Sequence, residues 1–142
     1  MKTLITAGLV VVKDRKLLLA FSNNKKAFYL PGGKTDDGET TAEALIREVR
    51  EELNVSLEPD ALQFYMHVEA LAFGEKDDTI MKQDCFRAEL PVMPIPAAEI
   101  GDLRYFDTRD YGLEPQQVPG VITQVPGVIL IMRQLKKDDL ID

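Results

Sequence analysis

The hydrophobic and polar positions of the chain change their period several times, and these changes divide it into strands and helices. Segments 3–12 and 17–22 are nearly continuous apolar runs on either side of a polar turn at 13–16. Runs of this kind predict a pair of strands buried on both faces. Segments 62–73 and 79–90 flank a polar turn and predict a hairpin. The predicted strands are 3–12, 17–22, 28–30, 62–73, 79–90 and 103–106.

Helical periodicity occurs in two places. In segment 40–53 the apolar residues recur on one helix face, and Thr40 followed by Glu43 forms a capping box. From Pro126 onward apolar residues again recur at helical spacing, and the run ends in lysines that suit a helix C-terminus. Strands combined with two such helices predict a mixed β-sheet between helical layers.

Three acidic residues crowd one flank of the first predicted helix. Glu48 and Glu52 are an i, i+4 pair of like charges, which costs roughly 0.2 to 0.5 kcal/mol. Glu51 and Glu52 lie in the last helical turn, where the helix dipole disfavours anions by roughly 0.3 to 1 kcal/mol. A solvated acidic face is the commoner interpretation of a charge run. The like-charge pair and the unfavourable position in the helix dipole instead favour a functional site. Carboxylates are suitable ligands for a divalent cation such as Mg²⁺.

A glycine turn, Pro31-Gly32-Gly33, precedes this helix and allows a close approach of backbone to a ligand or to the helix. The spacing from it is specific: Gly33, five residues, Glu39, seven residues, and then REVREELNV at 47–55. This pattern resembles the Nudix box, G-x5-E-x7-R-E-U-x-E-E-x-G-U, in which U is aliphatic. Asn54 replaces the last glycine, and asparagine tolerates the left-handed conformation that ends a helix. The chain is therefore similar to the Nudix hydrolases.

The resemblance implies an α+β fold, an α/β/α sandwich, and hydrolysis of a phosphoanhydride with Mg²⁺, for which Mn²⁺ is able to substitute. Carried over by position, Glu48 and Glu52 are the main expected metal ligands, and Gly33 supplies a carbonyl ligand. Glu51 is expected to be a further ligand or the general base; the catalytic role is open between Glu51 and Glu52, as is the number of metal ions. The remaining motif residues, Glu39 and Arg47, are expected to form a structural ion pair.

The chain length of 142 residues suits one domain, 1–142. A net charge of −7 argues against broad nucleic-acid binding, which requires a basic surface. No signal peptide or membrane-spanning stretch is apparent, so a cytoplasmic location is the expectation. The single cysteine, Cys85, excludes an intramolecular disulfide and is expected to be a small core residue. A homodimer is common among the relatives that the resemblance implies.

Several residues outside the motif are weaker candidates. Lys34 is placed to meet phosphate, and a solvated loop lysine is an equal alternative. His67 lies in a predicted strand, where packing is commoner than catalysis. Phe28 and Tyr29 precede the glycine turn and are candidates for stacking on a base, with core packing the commoner role for at least one of them. Candidates for a base outside the motif, each also interpretable as an exposed turn residue, are Glu75, Asp77, Asp78 and Glu99.

The leading hypothesis is Mg²⁺-dependent hydrolysis of a nucleoside diphosphate-linked compound. Within that class a nucleoside triphosphate, an oxidised one included, is the first candidate, giving a monophosphate and pyrophosphate. Dinucleoside polyphosphates, sugar nucleotides and, less so, capped RNA ends are alternatives. A non-catalytic nucleotide sensor is disfavoured because a binding module does not need the repulsive glutamates. A diphosphate isomerase would need a catalytic cysteine, and Cys85 has no base beside it in the sequence.

Overall fold

The computed structural model describes residues 2–72, 75, 78–112 and 125–142. Within these ranges the chain forms eight strands, three α-helices and a short 3₁₀ turn at Pro59–Ala61. The strands and helices in chain order are β1 (Lys2–Val10), β2 (Val12–Lys13), β3 (Lys16–Ser22), β4 (Ala27–Tyr29), β5 (Gly32–Lys34), α1 (Thr41–Leu53), β6 (Gln63–Leu71), β7 (Thr79–Arg87), β8 (Ile100–Phe106), α2 (Thr108–Tyr111) and α3 (Pro126–Lys137).

The described strands form two four-stranded sheets. The first has the order β5-β1-β7-β6, with β1 and β7 parallel and the other neighbours antiparallel. The second is antiparallel, with β3 paired to β2, β4 and β8. The predicted hairpin is confirmed as β6 and β7, which are antiparallel neighbours.

The first sheet lies between two helices. On one face, Ala7 and Leu9 of β1 pack against Leu45, Val49 and Leu53 of α1. The opposite face joins a second core formed by residues of β1, β6, β7 and α3, among them Val10, Val68, Cys85, Ile131 and Met132. This layering confirms the predicted α+β class, an α/β/α sandwich with a mixed sheet between helical layers. Cys85 is fully buried in the core, as expected.

Helix α1 begins and ends as the sequence predicts. Thr40 caps its N-terminus, and the Thr40 hydroxyl and Glu43 carboxylate complete the capping box. At the other end Asn54 adopts the left-handed conformation (φ 56°, ψ 35°) that glycine would normally supply. The backbone N–H of Ile95 then donates to the Leu53 carbonyl, and that of Ala97 to the Glu52 carbonyl. The proline-rich segment is thereby held against the end of the helix.

Two local predictions were wrong. The strand pair at 3–12 and 17–22 is divided between the sheets, because the chain leaves the first sheet after Val10 and β3 pairs with β2 instead of β1. The predicted glycine turn continues as β5, in which Gly33 pairs with Ala7. The prediction that concerns Asp77 lies outside the described residues. No helix in the described ranges is long and apolar enough to cross a membrane.

Candidate active site

A cavity of about 440 Å³ lies between the two sheets, beside the C-terminal half of α1. Its wall includes Gly32 and Gly33 of β5 and Glu48 and Glu52 of α1. Pockets that hold small ligands typically have volumes of about 300 to 1,000 Å³. Three defined positions of the sequence motif, Gly33, Glu48 and Glu52, therefore lie in the wall of one ligand-sized cavity.

Glu52 is held in this wall by backbone. The Gly32 N–H donates to Glu52 Oε1 at 2.9 Å, and the residue is only 5% exposed. Gly32 has a φ of +137°, and a Cβ at this position would lie 2.0 Å from the Ala7 carbonyl oxygen. Only glycine fits here, because any side chain would collide with the backbone of β1.

Glu48 lies against the next glycine. A Cβ on Gly33 would be 2.7 Å from Glu48 Cδ and 2.9 Å from Glu48 Oε1. The absence of a side chain at position 33 thus lets the β5 backbone and the Glu48 carboxylate share one small volume. A main-chain carbonyl and a carboxylate in such proximity are oxygen donors of the kind that bind hard cations.

Arg47 joins the motif into one network. Its guanidinium donates to both carboxylate oxygens of Glu39, at 2.8 and 2.9 Å, and to Glu48 Oε1 at 2.9 Å. It also donates to the Lys34 carbonyl at 3.1 Å. A guanidinium that bonds two oxygens of one carboxylate fixes geometry as well as charge. The ion pair expected between Glu39 and Arg47 is therefore present, and it ties the loop before α1 to the helix and to β5.

The electrostatics of the three carboxylates differ. Burial, together with the like charges of Glu48, Glu99 and Glu51, raises the pKa of Glu52 to about 8, although the hydrogen bond from Gly32 opposes the shift. Burial also raises the pKa of Glu48, against the lowering effect of Arg47. In contrast, hydrogen bonds from Arg47 and the Asp36 backbone lower the pKa of Glu39 to about 2. Arg47 thus compensates the charge of Glu39 most strongly and that of Glu48 in part, whereas among the described residues no cation forms an ion pair with Glu52.

Glu51 differs from its two neighbours in position. About half of its side chain is exposed, it does not line the cavity, and its nearest described cation is Arg47, at 3.6 Å. Glu99 is only a weak candidate for a base outside the motif by sequence, yet it lies in the cavity wall. The hydrogen bond between Ala97 and the Glu52 carbonyl places this segment beside α1. No local sequence signal marks this contact, because the hairpin of β6 and β7 and the proline-rich segment lie between Glu52 and Ala97.

Two lysines lie at the side of the cavity near β5. Lys25 and Lys34 both bind Glu75 Oε1, at 3.3 and 3.1 Å, and all three residues line the cavity. The two lysines lower the pKa of Glu75. Lys34 is therefore close enough to serve a phosphate in the cavity, and in this structure its charge is paired with a carboxylate.

The donor set is compatible with magnesium. Among the residues that the structure describes, no three His, Cys, Asp or Glu side chains form a preassembled cage for a metal ion. Mg²⁺ does not need such a cage, since it usually keeps several waters and binds one or two carboxylates together with substrate phosphates. The partly buried Glu48 carboxylate, which lies against Gly33, and the buried Glu52 carboxylate, which accepts from the Gly32 N–H, match this requirement.

A comparison of the sequence with models of known protein families identifies the family of this chain. The model of the NUDIX domain matches residues 2–126, which is most of the chain. The chain belongs to the Nudix family. As a Nudix protein it is an enzyme of the pyrophosphohydrolase type, which acts on acid anhydrides. A search of the curated proteins gave no match.

Solved structures show the same fold at low sequence identity. A MutT NUDIX hydrolase from Burkholderia pseudomallei is 21% identical with a TM-score of 0.67, over 93% of this chain and 98% of that one. The MutT protein from Methanosarcina mazei Go1 is 14% identical with a TM-score of 0.74, over 97% and 96%. An Ap4A hydrolase from C. elegans is 19% identical with a TM-score of 0.68, over 95% and 96%. At these identities the similarity establishes the fold alone.

Of the remaining described candidates, only Tyr29 lines the cavity. His67 binds Asp84 and Glu69 on the surface of the first sheet and does not line the cavity. Phe28 is buried against Phe106, whereas Tyr29 is in the cavity wall. Cys85 is buried, and burial raises the pKa of its thiol to about 12, so its position is that of a core residue. Asp78 is exposed.

Proposed function

We propose that this Nudix enzyme hydrolyses a phosphoanhydride in a nucleoside diphosphate-linked compound, with a nucleoside triphosphate as the substrate that fits best. The observation that carries the proposal is a pair of carboxylates, the partly buried Glu48 and the buried Glu52, that face the Gly32–Gly33 backbone in one cavity. Two adjacent acids in a partly dry site are stabilised by a divalent cation and a phosphate brought in with it.

The residues of the site would have separate roles in metal binding, catalysis and support of the backbone. Glu48, Glu52 and the Gly33 carbonyl would hold Mg²⁺, or Mn²⁺ in its place, and Glu51 would be a further ligand or the base. A bound divalent ion would neutralise phosphate charge and acidify a coordinated water. Arg47 and Glu39 would keep the β5 backbone and α1 at a fixed separation. Burial of Glu52 supports it over the exposed Glu51 as the carboxylate nearest the reaction.

The proposed products are a nucleoside monophosphate and pyrophosphate, with an oxidised nucleotide among the substrates to be tested. The fold neighbours include MutT proteins, an Ap4A hydrolase and a UDP-X diphosphatase. Sugar nucleotides and dinucleoside polyphosphates therefore belong in the same substrate panel. Lys25 and Lys34 support a polyphosphate, because they place two positive charges at the wall that also contains Gly33.

The experiment is a phosphate-release screen over this panel, with and without Mg²⁺, on wild type and on Glu52→Gln. Loss of a ligand or base typically slows hydrolysis by about 100-fold or more, so we expect the variant to lose at least that factor. Glu58→Gln is the matched control, because Glu58 is exposed and its side chain caps no helix. Equal rates for wild type and Glu52→Gln on every active substrate would contradict the site assignment.

The same screen separates the other classes of function. A wild-type protein that binds a nucleotide tightly and releases no phosphate would be a sensor. Isomerase activity would require an accessible nucleophilic thiol, and the burial of Cys85 argues against it. Comparing Glu51→Gln with Glu52→Gln at saturating Mg²⁺ tests which carboxylate is the base, since loss of the base lowers kcat even when metal binding is complete.

A further inference from the structure

Two uncharged polar side chains lie side by side in the cavity wall, away from the glutamates. Thr6 of β1 and Gln83 of β7 are register partners on parallel strands, so both point to the same face of the first sheet. They are 6% and 9% exposed, and both line the cavity. Thr6 also pairs with Lys34 of β5, the strand that carries Gly33. One strand therefore separates the polar pair from the glutamate cluster.

The hydrogen-bonding capacity of this pair is largely unused. Within the described part of the chain, Thr6 Oγ1 is the buried side-chain oxygen or nitrogen that has no hydrogen-bond partner. Gln83 Oε1 receives only a weak bond from the Cys85 thiol, at 3.7 Å, and Gln83 Nε2 donates to no described residue. A buried polar group without a hydrogen-bond partner destabilises the folded protein, and native proteins keep few of them. A ligand that bonds to Thr6 Oγ1 would remove this destabilisation.

The position of the Gln83 amide is fixed by a glycine on the neighbouring strand. A Cβ on Gly8 would lie 3.0 Å from both Cδ and Nε2 of Gln83 and 2.8 Å from Leu30 Cδ1. The amide therefore rests on bare backbone, and a larger residue at position 8 would displace it. Such a support is typical of a polar group that is held ready for a ligand.

The surroundings of the pair select the kind of ligand. The cavity wall that contains the pair also has apolar members: Leu4, Ala20, Leu30, Leu71, Met81 and Ile100. A nucleobase has apolar faces and a hydrogen-bonding edge with adjacent donors and acceptors, and the hydroxyl and amide can match either pattern. A sugar carries hydroxyl groups on all sides, so an apolar wall with two polar groups would leave most of them unpaired.

We propose that Thr6 and Gln83 bind the hydrogen-bonding edge of the substrate's nucleobase and determine which base the enzyme accepts. The proposal rests on the proposed function, because the glutamate cluster must hold the phosphate end of the same nucleotide. It goes further by assigning the part of the wall formed by β1 and β7 to the base and by naming the residues that select it.

The test measures binding without metal, so that it does not depend on turnover. Wild type, Gln83→Met and Thr6→Val are titrated by NMR, in the presence of a chelator, with four ribonucleoside 5′-monophosphates and with ribose 5-phosphate, which lacks a base. We expect wild type to prefer one nucleotide and the Gln83 side-chain amide resonance to shift on binding it. Each variant should weaken that nucleotide about tenfold, the loss of one hydrogen bond, and should leave ribose 5-phosphate unchanged.

Matched controls are Gln63→Met and Thr3→Val, the same substitutions at exposed positions of β6 and β1. Both should bind all five ligands as wild type does. Equal binding of the four nucleotides and ribose 5-phosphate by wild type would overturn the proposal, as would an equal loss for all five ligands in the variants. Thr6→Val decides the outcome if Gln83→Met does not fold.

Phosphate release is measured separately from binding. Base-selective binding without hydrolysis would refute the proposed hydrolase function and leave the base assignment intact. Hydrolysis with unselective binding would refute the base assignment and leave the hydrolase function intact.

Discussion

Substituting the two adjacent glycines of β5 should separate folding from function. In Gly33→Ala the new Cβ would lie 2.7 Å from Glu48 Cδ, about 0.7 Å inside the ordinary contact limit of 3.4 Å. The obstructing group is the end of a flexible side chain, and the backbone of Gly33 does not have a positive φ. The Glu48 carboxylate should therefore move by about 0.7 Å or more, while the free energy of unfolding changes by less than about 1 kcal/mol. A displacement of about 1 Å in a catalytic site can cost about 100-fold, so we expect kcat/KM to fall by 10- to 100-fold.

The neighbouring substitution should give the opposite result. In Gly32→Ala the Cβ would meet the Ala7 carbonyl oxygen at 2.0 Å, and the backbone φ of +137° is unfavourable for alanine. We expect a loss of at least about 3 kcal/mol of unfolding free energy, because neither obstacle can rotate away. Gly101→Ala is the control for Gly33→Ala, since its Cβ also meets a flexible side chain, that of Asn23, outside the cavity wall. Urea unfolding and phosphate release measure the two effects. Full activity in a folded Gly33→Ala enzyme would refute the claim that Glu48 must lie against this backbone.

Two further changes test the charge network. Arg47→Lys keeps the positive charge but loses the bidentate hydrogen bonding to the Glu39 carboxylate. We therefore expect the free energy of unfolding, measured in urea, to fall by about 1 to 3 kcal/mol. An unchanged urea midpoint would show that the bidentate contact is not needed for stability. Hydrogen bonds to Asp84 and then Glu69 raise the pKa of His67, so its contribution to stability is complete below pH 6.5 and is lost as the pH rises through the folded-state pKa. His67→Gln should therefore lower the free energy of unfolding at pH 5.5, by on the order of 0.5 kcal/mol for an exposed group, and leave it unchanged at pH 9. Equal destabilisation at both pH values would contradict a stabilising role of the charged imidazole.

Local sequence rules were sufficient for helix α1 and for the contacts within the motif. The capping box at Thr40, the left-handed Asn54 and the pairing of Glu39 with Arg47 all depend on residues within a few turns of one another. Helical periodicity also separates Glu52, which borders the apolar face, from the exposed Glu51. In this region, each short-range interaction is compatible with the tertiary structure, so the sequence pattern alone predicts the local geometry.

The wrong predictions share a different cause. The apolar run through Val10 to Val12 looks like one strand, because residues buried on both faces carry no alternation that would mark a change of sheet. The glycines at 32 and 33 look like a turn by composition, and only the opposing β1 backbone makes them a strand. In both cases the structure is determined by contacts with segments that are distant in the sequence or that belong to the other sheet. The local sequence pattern does not specify such contacts.

The cavity wall illustrates the same limit for function. Glu99 reaches the glutamate cluster because the free carbonyls at the end of α1 accept bonds from Ile95 and Ala97, which any backbone N–H in that segment can supply. Thr6 and Gln83 meet only because β1 and β7 are parallel neighbours in one particular register. A shift of one residue would turn the Gln83 side chain to the α1 face and remove it from the cavity. The motif therefore predicts the reaction centre, whereas the choice of substrate depends on strand register, which the sequence of either strand alone does not determine.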